Sequence, residues 1–151
     1  MRKKILFTIF LGFISIGLPS LVLAQASLFI TPSSGDYRVG GTFSVLVNVN
    51  SGTKSINAGS AQINFDHTKL SVLSVGYSQS IFTLWPQQPS FDNSAGTINL
   101  TGGVPSPGFN GAEGALLRIT FKAKALGSAS VIFVSGSILA NDGVGTNIAD
   151  S

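Results

Sequence analysis

Residues 114–125, GALLRITFKAKA, show the clearest two-residue hydrophobic period in the chain. Apolar and polar residues alternate there in the order Leu117, Arg118, Ile119, Thr120, Phe121, Lys122, Ala123 and Lys124. Successive side chains of a strand point to opposite faces, so this segment has one apolar and one polar face. An apolar sheet face must be covered, and because helical patterning is weak in this chain the available cover is a second sheet. The segment therefore predicts an all-β sandwich with a polar outer surface.

Similar patterns elsewhere predict eight to nine strands and no long helix after the N-terminal segment. The other predicted strands cover residues 27–31, 42–50, 58–65, 70–77, 97–101, 129–134 and 138–140. The pattern changes phase midway through residues 70–77, which predicts a β-bulge or a strand that passes between sheets. Residues 129–134 are apolar on both faces, as is typical of an interior strand. Residues 78–93 are interpreted as an irregular loop, either packed as a small core or open to a ligand.

Residues 1–26 have the pattern of a secretory signal peptide, with a basic start, an apolar run over residues 5–18 and small residues at the end. Cleavage after Ala24 and after Ala26 both fit, and the second is preferred. The apolar run is shorter than the ~20 residues of a membrane-spanning helix, so membrane attachment is expected only through an uncleaved signal segment. We expect residues 27–151 to form one domain, secreted or held at the cell surface.

Charge and cysteine content exclude several classes of partner and site. The formal net charge of +3 comes from the three basic residues at positions 2–4, because six basic and six acidic residues cancel from residue 27 onward. Without a basic patch the main electrostatic contribution to nucleic-acid binding is missing, so no nucleic-acid partner is predicted. The chain has no cysteine, which excludes disulfides and thiolate metal sites. We predict no cofactor.

Three segments in order resemble the cohesin domain family. Residues 65–72 (FDHTKLSV) are similar to an element of this family in which a "D-x-x-K-L" turn joins two strands. Residues 114–123 are similar to the family's "G-x-L-x-x-I-x-F-x-A" strand. The third similar segment is residues 139–143 (LANDG), near the end of the chain. The resemblance covers residues 28–148. It implies a nine-stranded jelly-roll sandwich related to carbohydrate-binding modules, and non-catalytic binding of a dockerin module through one sheet face. It also implies an extracellular assembly linked to polysaccharide degradation.

The polar side of the predicted sheet offers hydroxyl and amide groups around a few cations. We predict that a dockerin-like protein partner docks there. The candidate residues for this protein-binding face are Asn48, Gln62, Asn64, Arg118, Thr120 and Lys122. Simple solvation of an exposed sheet face is the alternative interpretation.

Sugar binding is the second hypothesis, because aromatic faces stack on sugar rings. Trp85 is the one tryptophan, and Tyr77 and Phe91 lie near it in sequence. This would make the chain a carbohydrate-binding module with a polysaccharide partner. The favoured alternative is that Trp85 and Phe82 cap the core. A structural domain of a surface layer or appendage is the third hypothesis.

Reactive groups are few, so an enzyme is not predicted. His67 is the only histidine and Glu113 the only glutamate, whereas a glycosidase needs two facing carboxylates. A single histidine without a second ligand makes a poor metal site, and no metal is predicted. Asp142 lies in an Asn-Asp-Gly sequence typical of a hairpin turn. Asp66 is interpreted as a turn residue that caps backbone N–H groups, with a surface ion pair to Lys69.

Overall fold

The computed structural model describes residues 25–150, which form two four-stranded antiparallel sheets. The strands are β1 (Ser27–Thr31), β2 (Thr42–Asn50), β3 (Ile56–Phe65), β4 (Leu70–Gly76), β5 (Leu84–Asp92), β6 (Thr97–Gly103), β7 (Gly114–Ala123) and β8 (Val131–Ala140). Sheet A has the order β1-β2-β7-β4, and sheet B has the order β5-β6-β3-β8. The predicted all-β sandwich is confirmed.

The chain crosses repeatedly between the two sheets, as in a jelly roll. β2 and β4 lie in sheet A, whereas β3 between them lies in sheet B. The described residues include no helix, and so none that could cross a membrane. The N-terminal 24 residues, which hold most of the predicted signal peptide, lie outside the described part of the chain.

The core contains inward-facing side chains of both sheets. Those below two per cent exposure include Val47, Ile56, Ile63, Ile98, Leu116, Leu117, Ile119, Phe121 and Ile138. The ring of Phe121 contacts Phe43 at 5.6 Å and Phe65 at 5.5 Å between centroids. Full burial of each large apolar side chain stabilises the fold by roughly 1.5–3 kcal/mol. With no disulfide available, this packing holds the two sheets together.

β5 is a strand where the sequence predicted an irregular loop. It pairs with β6 through a ladder interrupted between Leu84 and Gln87 and again between Gln87 and Ser90. Pro86 and Pro89 lie in these interrupted regions, and proline has no N–H to donate. Such a strand is tolerated at a sheet edge, which is where β5 lies. Because the two prolines interrupt the alternating pattern, the sequence did not indicate a strand here.

β8 is one continuous strand rather than the two short strands that were predicted. It is the other edge of sheet B, and its ladder with β3 shifts register between Ser135 and Phe133. Ile132 and Val134 are 54% and 48% exposed, so the prediction of an interior position is wrong for this segment. An edge strand has a neighbour on one side only, which leaves apolar side chains accessible.

The predicted irregularity in β4 is a β-bulge. The pairing of β4 with β7 shifts between Val72 and Ser74. The extra residue, Leu73, is 50% exposed. One additional residue changes which side chains face the core, and this explains the phase change in the sequence.

Candidate functional site

The six polar residues that were predicted to share one face lie on two opposite outer faces. Asn48, Arg118, Thr120 and Lys122 belong to sheet A, whereas Gln62 and Asn64 belong to sheet B. The residues therefore do not form the predicted single face. A two-residue period shows which residues of one strand share a face, but it does not show which strands share a sheet.

The outer face of sheet A is weakly basic. Arg118 and Lys122 are both exposed on β7, and Arg118 Nη2 donates a hydrogen bond to Gln79 Oε1 at 3.3 Å. Between them the Thr120 hydroxyl bonds with the Ser44 hydroxyl at 3.0 Å. The described strands of this sheet contain no acidic residue, so a partner on this face would meet an excess of positive charge.

Asn48 is a structural residue rather than an exposed contact residue. It is 1% exposed and lies opposite Phe29 of β1. Its Nδ2 donates to Thr31 Oγ1 at 3.1 Å. A buried amide needs such a partner, and this bond helps to hold β1 against β2.

The outer face of sheet B is uncharged along its middle. Gln62 of β3 lies between Asn99 of β6 and Ser135 of β8. Asn64 follows on the same face, between Thr97 and Ile132. Further polar residues at outward positions are Ser60, Gln87, Thr101 and Ser137. The one charged residue in these four strands is Asp92, which lies at the end of β5 opposite Thr97. The face is therefore a broad surface of amides and hydroxyls contributed by all four strands.

One amide on this face has an unmet hydrogen-bonding requirement. Asn64 Oδ1 is buried and has no hydrogen-bond partner among the described residues. A buried unpaired acceptor costs roughly 1–3 kcal/mol. A donor brought in by a partner would lower this cost if the amide turned towards it.

Exposed apolar side chains flank the polar middle of sheet B. Leu84 on the β5 edge is 55% exposed, and Ile132 and Val134 on the β8 edge are similarly accessible. Such side chains gain most from burial against a partner. Sheet B thus combines a neutral polar centre with apolar edges.

Trp85 packs inward and caps the core, which is the favoured alternative from the sequence. Its ring is half-buried and contacts Tyr77 at 4.9 Å and Phe82 at 6.0 Å between centroids. Phe82 is only 2% exposed. Phe91 lies towards the other end of β5, opposite Ile98. The three proposed sugar-binding residues therefore do not form one exposed platform.

A family model for the cohesin domain matches residues 27–151 of this chain. The chain belongs to the cohesin domain family. The resemblance noted in the sequence is confirmed over nearly the whole described domain. A cohesin domain is a non-catalytic module, in agreement with the scarcity of reactive groups here. No curated protein matches the chain.

Solved cohesin structures share this fold at low sequence identity. The sixth cohesin of scaffoldin B from Acetivibrio cellulolyticus, solved with a dockerin, is 18% identical with a TM-score of 0.66, covering 84% of this chain and 93% of that one. A cohesin from Clostridium thermocellum, also solved with a dockerin, is 13% identical with a TM-score of 0.65, covering 83% and 88%. The cohesin module of a family 33 glycoside hydrolase from Clostridium perfringens is 8% identical with a TM-score of 0.62, covering 83% and 88%.

In this cohesin domain Asp66 organises the turn between β3 and β4, as the sequence predicted. Its Oδ1 accepts from the Thr68 N–H at 3.0 Å, and its Oδ2 lies 3.1 Å from Lys69 Nζ. The hydrogen bond from the Thr68 hydroxyl, together with the bond from Lys69, lowers the pKa of Asp66 to about 2. His67 is exposed in the same turn, and its carbonyl accepts from Lys124 Nζ at 2.7 Å.

Asp142 caps the turn that follows β8 in the same way. Its Oδ1 accepts from the N–H groups of Val144 at 3.0 Å and Gly145 at 2.9 Å. A hydrogen bond from the Thr146 side chain, with these backbone bonds, lowers the pKa of Asp142 to about 2. The carboxylate is thus engaged in the turn, as predicted. Within residues 25–150 no three potential metal ligands converge.

Several residues on the sheet B face were not among the candidates from the sequence, and only some of them lie in a strand that was not predicted. Thr97 and Asn99 alternate with Ile98 in the sequence, and this alternation indicates that both polar side chains face outward. Gln87 lies between two prolines and had no such pattern. Ser135 lies between the predicted strands 129–134 and 138–140, so the sequence did not place it in a strand, whereas it belongs to β8.

Proposed function

We propose that this cohesin domain is an exported docking module that binds a dockerin through the outer face of sheet B. Family membership supports the docking role, since two of the similar solved cohesins were each captured with a dockerin. The observation that carries the choice of face is the uncharged surface around Gln62 and Asn64. We expect the partner to belong to an extracellular assembly linked to polysaccharide binding or degradation.

The size of sheet B is suited to a specific interface. Four strands about 4.8 Å apart and seven or more residues long give a surface of about 20 Å by 25 Å. That is roughly 500 Å², against about 800 Å² buried per partner in a typical complex. The adjoining loops would supply the remainder.

Asp92 at the end of β5 is the one charged residue in the strands of sheet B, and its carboxylate accepts from the Ser94 and Ala95 N–H groups of the following turn. The lack of charge along the rest of these strands favours this face further. Cores of interfaces are depleted of charged residues, because a charge that loses its water is costly unless it is paired. Amides and hydroxyls can exchange hydrogen bonds with a partner at lower cost, and Asn64 Oδ1 has a bond to gain. Docking on sheet A would require a partner to compensate Arg118 and Lys122.

Two matched double variants test the choice of face. Gln62→Arg with Asn99→Arg places two charges on sheet B, and Arg118→Glu with Lys122→Glu reverses two charges on sheet A. We would measure affinity by isothermal titration calorimetry for recombinant dockerins encoded by the same genome. The sheet B variant should weaken binding at least about 100-fold, whereas the sheet A variant should change it less than about 10-fold.

Other results would separate the two parts of this proposal. The reverse order of effects would move the docking face to sheet A and retain the docking function. If none of the dockerins bound the unaltered domain, the docking function itself would be wrong. Thermal unfolding of each variant would show that the domain remains folded.

We infer that export removes the first 24 residues. Ala26 is fully buried, its N–H donates to Ile148 O at 3.0 Å, and its carbonyl accepts from Asp150 N–H at 2.7 Å. Cleavage after Ala26 would delete both bonds, so this contact supports cleavage after Ala24 over the site preferred from the sequence. The intact mass of protein recovered from culture medium should correspond to a chain that begins at Gln25. A start at Ser27, or protein retained inside the cell, would contradict this inference.

A further inference from the structure

A second candidate site lies at one end of the sandwich, beneath the connection between β1 and β2. A cavity of about 620 Å³ opens there between the two sheets. Its apolar lining includes Ile30 and Val45 of sheet A and Val131 of sheet B. The volume is in the range of pockets that hold small ligands, about 300–1,000 Å³. This cavity is separate from the outer face of sheet B.

An aromatic ring is fixed at the wall of this cavity. Tyr37 stacks on Phe43 with ring centroids 3.6 Å apart and planes within 5°. Phe43 in turn stacks on the fully buried Phe121. Tyr37 nevertheless remains 43% exposed. Phe43 covers one side of the ring and Gly35 lies close to its hydroxyl end, so a ligand would contact the exposed part that these two residues leave.

The mouth of the cavity is polar, and its unpaired charge is negative. Ser33, Ser34 and Ser128 line it together with the carboxylate of Asp36. Lys69 also lines it, but its Nζ lies 3.1 Å from Asp66 Oδ2 and donates to Ser128 O at 2.7 Å. No hydrogen bond or ion pair to the Asp36 carboxylate occurs within residues 25–150. Asp36 can therefore accept hydrogen bonds from a ligand and would repel an anion.

We propose that this cavity binds a unit of a neutral carbohydrate, with the sugar ring against Tyr37. A sugar ring combines an apolar C–H face with a rim of hydroxyl groups, and the cavity combines an aromatic wall with a rim of serine hydroxyls and a carboxylate. The sugar hydroxyls would donate to Asp36 in charge-assisted hydrogen bonds, which are stronger than neutral ones. The proposal does not depend on dockerin docking, because the two sites lie on different parts of the sandwich.

Titrations of the whole domain with defined oligosaccharides test this assignment. The neutral probes would be cellohexaose, maltohexaose and chitin hexaose, and the anionic probe would be an oligogalacturonate. At least one neutral probe should bind, and the oligogalacturonate should not. Laurate would serve as an apolar probe without sugar hydroxyls. Binding of laurate without binding of any neutral oligosaccharide would overturn the assignment.

Substitutions at the two key residues identify the site. Tyr37→Ala should weaken binding at least about 10-fold, in line with the energies of ring stacking on aromatic side chains. Tyr37→Phe keeps the ring and should bind like the unaltered domain. Asp36→Asn should weaken binding about 10-fold because it replaces charge-assisted bonds with neutral ones.

The matched control is Phe91→Ala, which removes an aromatic ring of similar exposure from the distant edge of sheet B. It should leave sugar affinity unchanged. Sugar binding that survived Tyr37→Ala, or that was lost in Phe91→Ala, would place the sugar elsewhere and overturn the proposal. Thermal unfolding would confirm that each variant is folded.

Discussion

The side chain of Asn93 forms hydrogen bonds with both backbone groups of Val72. Val72 N–H donates to Asn93 Oδ1 at 2.7 Å, and Asn93 Nδ2 donates to Val72 O at 2.9 Å. Asn93 lies in the turn between β5 and β6, whereas Val72 lies on β4 at the edge of sheet A. Asn93, in a turn of sheet B, therefore supplies hydrogen bonds that a neighbouring strand would otherwise form with the edge strand β4 of sheet A. Backbone groups at a sheet edge need such partners when they are partly buried.

Asn93→Ala should destabilise the domain by about 1–3 kcal/mol, because both hydrogen bonds to Val72 would be lost. Asn93→Asp should have an intermediate effect, since a carboxylate accepts from the N–H but cannot donate to the carbonyl. Urea denaturation followed by circular dichroism would measure the free energy of unfolding. Asn99→Ala is the control, because Asn99 is exposed on sheet B, and it should change stability by no more than about 0.5 kcal/mol. An equal effect of the two alanine variants would contradict the role of Asn93.

Stability should fall as the pH is lowered from about 4 to about 2. The pKa of Asp66 and that of Asp142 are each lowered from 3.8 to about 2 in the folded protein, chiefly by hydrogen bonds from the side chains of Thr68 and Thr146 respectively. A lowered folded pKa means that the ionised form stabilises the fold, fully above the unfolded value and progressively less as the pH falls through the folded value. The midpoint of thermal unfolding between pH 5 and pH 2 would measure this effect. Asp66→Asn with Asp142→Asn should flatten the dependence, and an unchanged slope would show that other groups control it.

Phe121→Ala should destabilise the domain by about 3–5 kcal/mol, the cost of removing a large aromatic side chain from a core. Phe121 is fully buried between Phe43 and Phe65, so the substitution leaves a cavity that these rings cannot fill without moving. Chemical denaturation of the variant and of Phe91→Ala would measure the difference. Phe91 is 38% exposed, and its loss should cost much less. Similar losses for the two variants would mean that Phe121 does not organise the core.

Trp85→Ala should lower stability by about 1–3 kcal/mol while leaving the affinity for the sugars bound at Tyr37 unchanged. The reason is that Trp85 packs on Tyr77 and Phe82 rather than facing solvent as a free platform. Trp85 is the sole tryptophan, so its fluorescence should also shift to longer wavelength when the unaltered domain unfolds. A variant that kept full stability but lost sugar binding would restore Trp85 as the binding residue.

Prediction from the sequence succeeded where a strand has one apolar face. β1 and β2 were predicted with the observed bounds, and the alternation in β7 marked the buried set of Leu117, Ile119 and Phe121. It failed for β5, where prolines interrupt the period, and for β8, where apolar residues on both faces suggested burial. Both are edge strands, and an edge position depends on the order of strands in the sheet rather than on the strand's own residues.

The sequence by itself determined the two-layer β architecture, the family and the scarcity of reactive groups, because these follow from local periodicity, short motifs and composition. Only the tertiary structure decided which polar residues share a surface. It placed Gln62 and Asn64 on sheet B and Arg118 and Lys122 on sheet A. It also brought Tyr37 onto Phe43 and turned Trp85 towards the core. The physical reason is that alternation fixes the face of each strand, whereas strand order and loop packing depend on contacts between residues far apart in the chain.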